Sequence, residues 1–193
     1  YTDNDIDKLF DSNFKAESSI IYKGNFQDGE FLFKNKLTIK KMFCYEKQLP
    51  LKESSLIIMI RLGDVAHLAP PIDFYREAIK DMELKLGFGN NLEGFITSDS
   101  PSHPIVKKLA EEYSYKVILS DATETLKFAS RFKNFILTGG SYNWLAAFLA
   151  DAKNVIYPEY TYLWHGDIYS NFGWTKKKWR KYAPIRFFFL KNY

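Results

Sequence analysis

The sequence predicts an α/β protein built on a doubly wound, mostly parallel sheet, and three observations carry that expectation. From Leu56 onward, apolar runs of strand length alternate with segments of helical length. The run Leu56-Ile57-Ile58-Met59-Ile60 is apolar at every position, as in a strand buried on both faces. Four of the five runs end in small, polar or charged residues, as strands do where a parallel sheet opens on a ligand crevice.

In chain order, Thr2 to about Phe14 reads as a short helix capped by Thr2 or Asp3, with acids in its first turn. The stretch SSIIYKG reads as a strand ending at Gly24. Between Asp28 and Tyr45 the residues Phe31, Leu32, Leu37, Ile39, Met42 and Phe43 form an imperfect helical stripe. Strands are then expected at Leu56–Ile60, Gly94–Thr97, Lys116–Leu119, Phe135–Leu137 and Asn154–Tyr157. The helices between them are expected at Pro71–Leu86, Pro104–Tyr113, Thr123–Phe132 and Ser141–Ala150, with Pro71 and Pro104 suited to first turns. After Pro158 the chain is aromatic and irregular, with a further helix expected near Trp174–Tyr182 and an apolar tail, IRFFFL. Residues 1–50 thus read as a helical, linking lead-in and residues 51–193 as the α/β domain.

Composition narrows the classes. The chain has 193 residues, 46% of them hydrophobic and 18% aromatic, enough for a sizeable core. No apolar run approaches the roughly 20 residues of a membrane span. The opening YTDNDIDKLF is polar and acidic, unlike a signal peptide. Cys44 is the single cysteine, so no intrachain disulfide is expected and a reducing, cytoplasmic setting fits best. The net charge of +4 is modest, and its one concentration, TKKKWRKY, reads as a solvated helix face; no nucleic-acid partner is expected. His67, His103, His165 and Cys44 lack metal-ligand spacing, and Asp3, Asp5 and Asp7 are better explained by helix capping. No metal is expected.

The strand ends hold the chemistry. The first is followed by Arg61-Leu62-Gly63-Asp64, the second by Ser98-Asp99-Ser100, the third by Ser120-Asp121, and the fourth by Thr138-Gly139-Gly140-Ser141, which opens a helix. A guanidinium does not lose its proton, so Arg61 needs a neighbouring carboxylate, bulk water or an anionic ligand. Asp64 and Asp99 are the carboxylates in view. The Gly139-Gly140-Ser141 turn has two readings: an ordinary tight turn with Ser141 as N-cap, or a backbone cradle whose N–H groups and helix dipole attract an anion. Arg61 and that turn together are the equipment for a diphosphate. No dinucleotide fingerprint, P-loop or nucleophile elbow is present.

The ordered motifs GNFQD, IIMIRLGD, FITSDS, ETLKFASRFKNFILTGGSYNWLAAFL and KNVIYP resemble those of the α-1,2-fucosyltransferases. These belong to a wider fucosyltransferase group with a His-x-Arg-Arg-x-Asp signature. Here the signature positions are Met59-Ile60-Arg61-Leu62-Gly63-Asp64. The resemblance runs from about Gly24 to the last helix. It implies the Rossmann-like, nucleotide-sugar-binding C-terminal half of a two-domain transferase, which takes GDP-fucose as substrate, without a cofactor or metal. It implies a glycan acceptor and a second glycosyltransferase domain or subunit as partner. Arg61 and Ser141 fall where the family meets phosphate; Gly63, Ser98, Asp99, Thr125, Gly140 and Tyr142 fall on the same donor-side motifs. Asp121, with Asp99, is a candidate acceptor of hydrogen bonds from base or ribose. Asp64 and His67 are the candidates for removing the acceptor's proton. Three positions depart from the pattern: Met59 replaces the signature His, Leu62 the second Arg, and Thr125 the usual acid. They favour the competing expectation, a non-catalytic nucleotide-sugar or interaction domain. The aromatics Tyr157, Tyr160, Tyr162, Trp164 and Trp174 offer a sugar-stacking surface or, more commonly, core and interface.

Overall fold

The computed structural model describes residues 29–43, 49–87, 92–159 and 172–178. The helix expected at Thr2–Phe14, the strand before Gly24, the GNFQD motif and the apolar tail lie outside the described residues. Two compact units are present, one drawn from Tyr1–Cys44 and Tyr162–Gly173, the other from Tyr45–Thr161 and Trp174–Tyr193.

In the first unit, the stripe read as one helix is two: α1 (Gly29–Lys34) and α2 (Lys36–Met42). Asn35 breaks them, and its side-chain amide donates back to the Phe31 carbonyl at 3.0 Å. This local competition for backbone hydrogen bonds is why asparagine interrupts helices. Phe31 and Ile39 are buried, and the Phe33 ring meets Phe172 edge to face, with centroids 5.5 Å apart.

The second unit has the expected α/β fold. Its strands are β1 (Ser55–Ile60), β2 (Glu93–Ser98), β3 (Lys116–Ile118), β4 (Asn134–Leu137), β5 (Asn154–Pro158) and β6 (Thr175–Lys177). They form one six-stranded sheet in the order β3-β2-β1-β4-β5-β6, every pair parallel. The helices are α3 (Ile72–Leu86), α4 (Pro104–Tyr113), α5 (Ala122–Ala129) and α6 (Ser141–Leu149). Strand β1 is central, and all six of its residues are buried.

Alternate residues of β1 serve opposite layers. Leu56, Ile58 and Ile60 join Phe74, Tyr75, Ile79 and Met82 of α3 and Val106 and Leu109 of α4 in one core. On β2 and β4, Phe95 and Phe135 meet the aromatic group of Phe128 and Phe132, at centroid distances of 5.3 to 6.4 Å. Apolar matter on both faces of a parallel sheet is what makes its strands read as unbroken apolar runs.

Four expectations change. The basic stretch read as a solvated helix face near Trp174 is strand β6 as far as Lys177, added to the open edge of β5. Lys177 is mostly covered and pairs with Glu77 at 3.5 Å and Asp81 at 2.5 Å on α3. An unpaired strand edge recruits backbone partners with little regard for side-chain period. Leu119 falls just past β3 and is exposed. A short 3-10 helix, Gly63–Leu68, occupies the loop after β1, where no element was expected. Tyr157 is buried in β5, so its ring belongs to the core and not to a sugar-stacking surface.

Candidate functional site

The strand order fixes where a crevice can form. From the neighbouring pair β1 and β4, the chain winds outward through β2 and β3 on one side and through β5 and β6 on the other. The loops leaving β1 and β4 therefore diverge, and ligands of such sheets bind at this switch point beyond the carboxyl ends. Arg61 and the Gly139-Gly140 turn lie at those two ends.

The two loops are tied together through the backbone. The Arg61 amide donates to Thr138 Oγ1 at 2.7 Å, and that hydroxyl donates to the Met59 carbonyl at 3.1 Å. Asn143 Nδ2 donates to the same Met59 carbonyl at 3.1 Å and to the Gly139 carbonyl at 3.0 Å. Asn143 and Thr138 are both buried. The start of α6 is thereby locked to the end of β1. Neither role was read from the sequence. Asn143 carried a usable signal, since asparagine inside an apolar helix does better as a backbone ligand near the first turn than as a helix former.

Gly140 has φ 86° and ψ 143°, a conformation open in practice only to glycine. A Cβ there would meet nothing within 4 Å, so backbone shape and not crowding demands the glycine. Ser141, at the first position of α6, is exposed. The Tyr142 hydroxyl donates to the Ala122 carbonyl at 2.6 Å, which brings the start of α5 beside the start of α6.

The Arg61 side chain stands between two carboxylates. Its Nη1 donates to Asp99 Oδ2 at 2.7 Å and its Nη2 to Asp64 Oδ1 at 2.6 Å. Asp99 does more than pair. Its Oδ1 accepts from the Leu62 amide at 2.8 Å and from the Gly63 amide at 3.3 Å, so three consecutive residues wrap one carboxylate. A Cβ on Gly63 would lie 2.7 Å from Asp99 Oδ2, which explains the glycine by the approach of this carboxylate. The Arg61 side chain remains 46% exposed while paired. One cation against two carboxylates leaves the cluster with one net negative charge.

The remaining expected residues divide between this cluster and a neighbouring one. His67 sits on the last turn of the 3-10 helix, exposed, and its side chain makes no hydrogen bond to a described residue. Ser98 Oγ accepts from the Ser100 amide at 3.0 Å and shapes the turn that presents Asp99. Asp121 caps α5 by accepting from the Glu124 amide at 2.9 Å. Thr125 is buried, with its hydroxyl 2.8 Å from that of Ser120. Asp121 and Thr125 are thus engaged in building α5, and no contact joins them to Arg61. Among the described residues no group of three His, Cys, Asp or Glu side chains is arranged to hold a metal ion, and no helix is long and apolar enough to cross a membrane.

What the arrangement can do follows from its parts. A half-exposed Arg61 side chain, held by Asp99 and Asp64, leaves the end of β1, and a helix start whose backbone is shaped by glycine leaves the end of the neighbouring β4. Guanidinium groups and helix starts are both donors to anionic groups, and here two carboxylates already occupy the guanidinium. Compared with known proteins, the chain matches no protein-family model, no curated protein and no solved structure.

Proposed function

We propose that this crevice binds the diphosphate of a nucleotide sugar, and that the chain is the donor-binding half of a glycosyltransferase. The observation that carries the reading is that Arg61 and the Gly139-Gly140-Ser141 turn leave the neighbouring strands β1 and β4, tied by the Arg61 amide on Thr138, at the switch point of a parallel sheet. The order of the motifs favours GDP-fucose as donor and a glycan hydroxyl as acceptor, in a cytosolic setting.

In the proposed reaction the acceptor oxygen attacks the sugar's anomeric carbon from the face opposite the leaving group. The bond from that carbon to the β-phosphate oxygen breaks, and GDP departs with the electron pair. Arg61 and the first amides of α6 stabilise the charge that grows on the β-phosphate. The acceptor's proton passes to Asp64 or His67, both on the loop that Arg61 begins. A second domain or subunit supplies the acceptor side.

A second reading is a domain that binds a nucleotide sugar without turning it over. The net negative charge around Arg61 favours it, as do Met59, Leu62 and Thr125 at the signature positions.

Calorimetric titration with GDP, UDP and GDP-fucose tests both. Arg61→Ala is expected to weaken GDP binding by about 100-fold, in line with a lost charge-assisted hydrogen bond to phosphate. Binding of undiminished strength in that variant removes the proposed role. Sugar released or transferred from GDP-fucose means an enzyme, and binding without turnover means the second reading.

A further inference from the structure

The two carboxylates on Arg61 are held so differently that they cannot serve the same purpose. Asp99 is 27% exposed and is gripped by the Arg61 guanidinium and by the amides of Leu62 and Gly63. Taking it away strips two backbone donors and opens a gap beside Gly63. Asp64 is 74% exposed and reaches Arg61 by a single hydrogen bond from within the 3-10 helix. Taking it away costs one surface ion pair, and the carboxylate is received by water.

We infer that Asp64 is an exchangeable counter-ion on Arg61, which an incoming phosphate displaces, whereas Asp99 is a permanent one. With both carboxylates in place the cluster is negative and repels a diphosphate. With Asp64 swung into water, Arg61 offers its Nη2 edge to the ligand while Asp99 keeps the guanidinium aimed. The exchange also sorts ligands by charge. A monoanion replaces Asp64 like for like and gains little, while a diphosphate brings more charge to the same donors. This inference rests on reading the crevice as an anion site.

The experiment is calorimetric titration of GDP and of inorganic pyrophosphate against the wild type, Asp64→Asn, Asp99→Asn and Arg61→Ala, with a thermal melt of each variant to establish folding. Asp64→Asn is expected to tighten both ligands by about fivefold, the worth of one surface ion pair no longer broken. Asp99→Asn is expected to weaken both, and Arg61→Ala to weaken both further. Unchanged or weaker binding in Asp64→Asn overturns the inference, and so does tightening in Asp99→Asn. GDP binding that depends on Arg61 but does not tighten in Asp64→Asn leaves the nucleotide reading standing and ends the exchange. Tightening for pyrophosphate with no preference for GDP keeps the exchange and ends the nucleotide reading. Failure of both ligands to bind either the wild type or Asp64→Asn ends both.

Discussion

The amino and carboxyl ends of the same parallel sheet differ in what is joined to their buried polar side chains. At the amino ends the network includes neutral side chains turned inward on the backbone. Asn134, buried, donates through Nδ2 to the carbonyls of Glu53 at 2.7 Å and Ser55 at 3.0 Å, and accepts from Asn154 Nδ2 at 2.9 Å. The Lys133 carbonyl collects the amides of Lys153 and Asn154, and its ammonium group reaches the Ala150 carbonyl at the end of α6. At the carboxyl ends the buried, neutral Thr138 and Asn143 hold the backbone, and an ionic cluster open to water stands beside them, with Arg61 between Asp64 and Asp99. A neutral buried network has one satisfied arrangement and stiffens the fold. An exposed ionic one can trade a member for a ligand at little cost to stability. On the proposed reading, the exposed ionic cluster is the part that binds, and the buried neutral side chains at both ends hold the fold.

Substitutions at the two ends should therefore separate stability from binding. The largest expected effect is at the amino half of β2. A Cβ on Gly94 would lie 2.1 Å from Tyr115 Cδ1, within the ring that covers the strand. Gly94→Ala is expected to lose about 3 kcal/mol of unfolding free energy in urea titration, the upper range for overpacking a core. Asn134→Ala follows at about 2 kcal/mol, because it orphans the buried Ser55 carbonyl and the Asn154 amide. Both variants, where folded, should bind GDP as the wild type does; a loss of binding in folded Asn134→Ala would show the two ends to be coupled.

At the other end, Gly140→Ala is expected to cost about 1 kcal/mol of stability from strain at φ 86° while weakening GDP by about tenfold, because the start of α6 must shift. Equal binding by this variant would sever the glycine turn from the ligand.

The smallest expected effect belongs to neither end. On the helix surface Arg76 donates to Glu112 at 2.7 Å and to Asp73 at 2.8 Å, and its hydrogen bond holds the Glu112 carboxyl below the usual carboxylate range. A lowered folded value means that this contribution is complete above the unfolded value of 4.5 and fades as pH falls through the folded one. The melting difference between wild type and Glu112→Gln should therefore shrink from neutral pH to about pH 3. Glu83 shifts in the other direction, raised by burial, so its protonation favours the fold as pH falls. The comparison with Glu112→Gln cancels that contribution. A difference independent of pH would assign the loss to packing instead.

Much of the fold was legible from periodicity. The fully apolar run ending at Ile60 is central strand β1, and α3, α4 and α6 lie within a residue of their expected bounds because prolines, a glycine turn and apolar stripes mark them locally. The first helical stripe misled because Asn35 closes a turn on itself, and the basic stretch near Trp174 misled because an edge strand is chosen by the neighbour that needs covering. In the candidate site, the sequence exposed Arg61, the glycine turn and both possible carboxylate partners, yet not that Arg61 would take both.

By itself, then, the order of residues determined strands β1 to β5, helices α3 to α6 and which side chains stand at those strand ends, since these follow from interactions a few residues apart, whereas β6 was set by the edge it covers. Only the tertiary structure decided which ends are neighbours. The order β3-β2-β1-β4-β5-β6 puts Asp99 beside Arg61 across 38 residues and Thr138 beside it across 77. Those pairings are set by the sheet's packing on both faces, which no short stretch of sequence encodes.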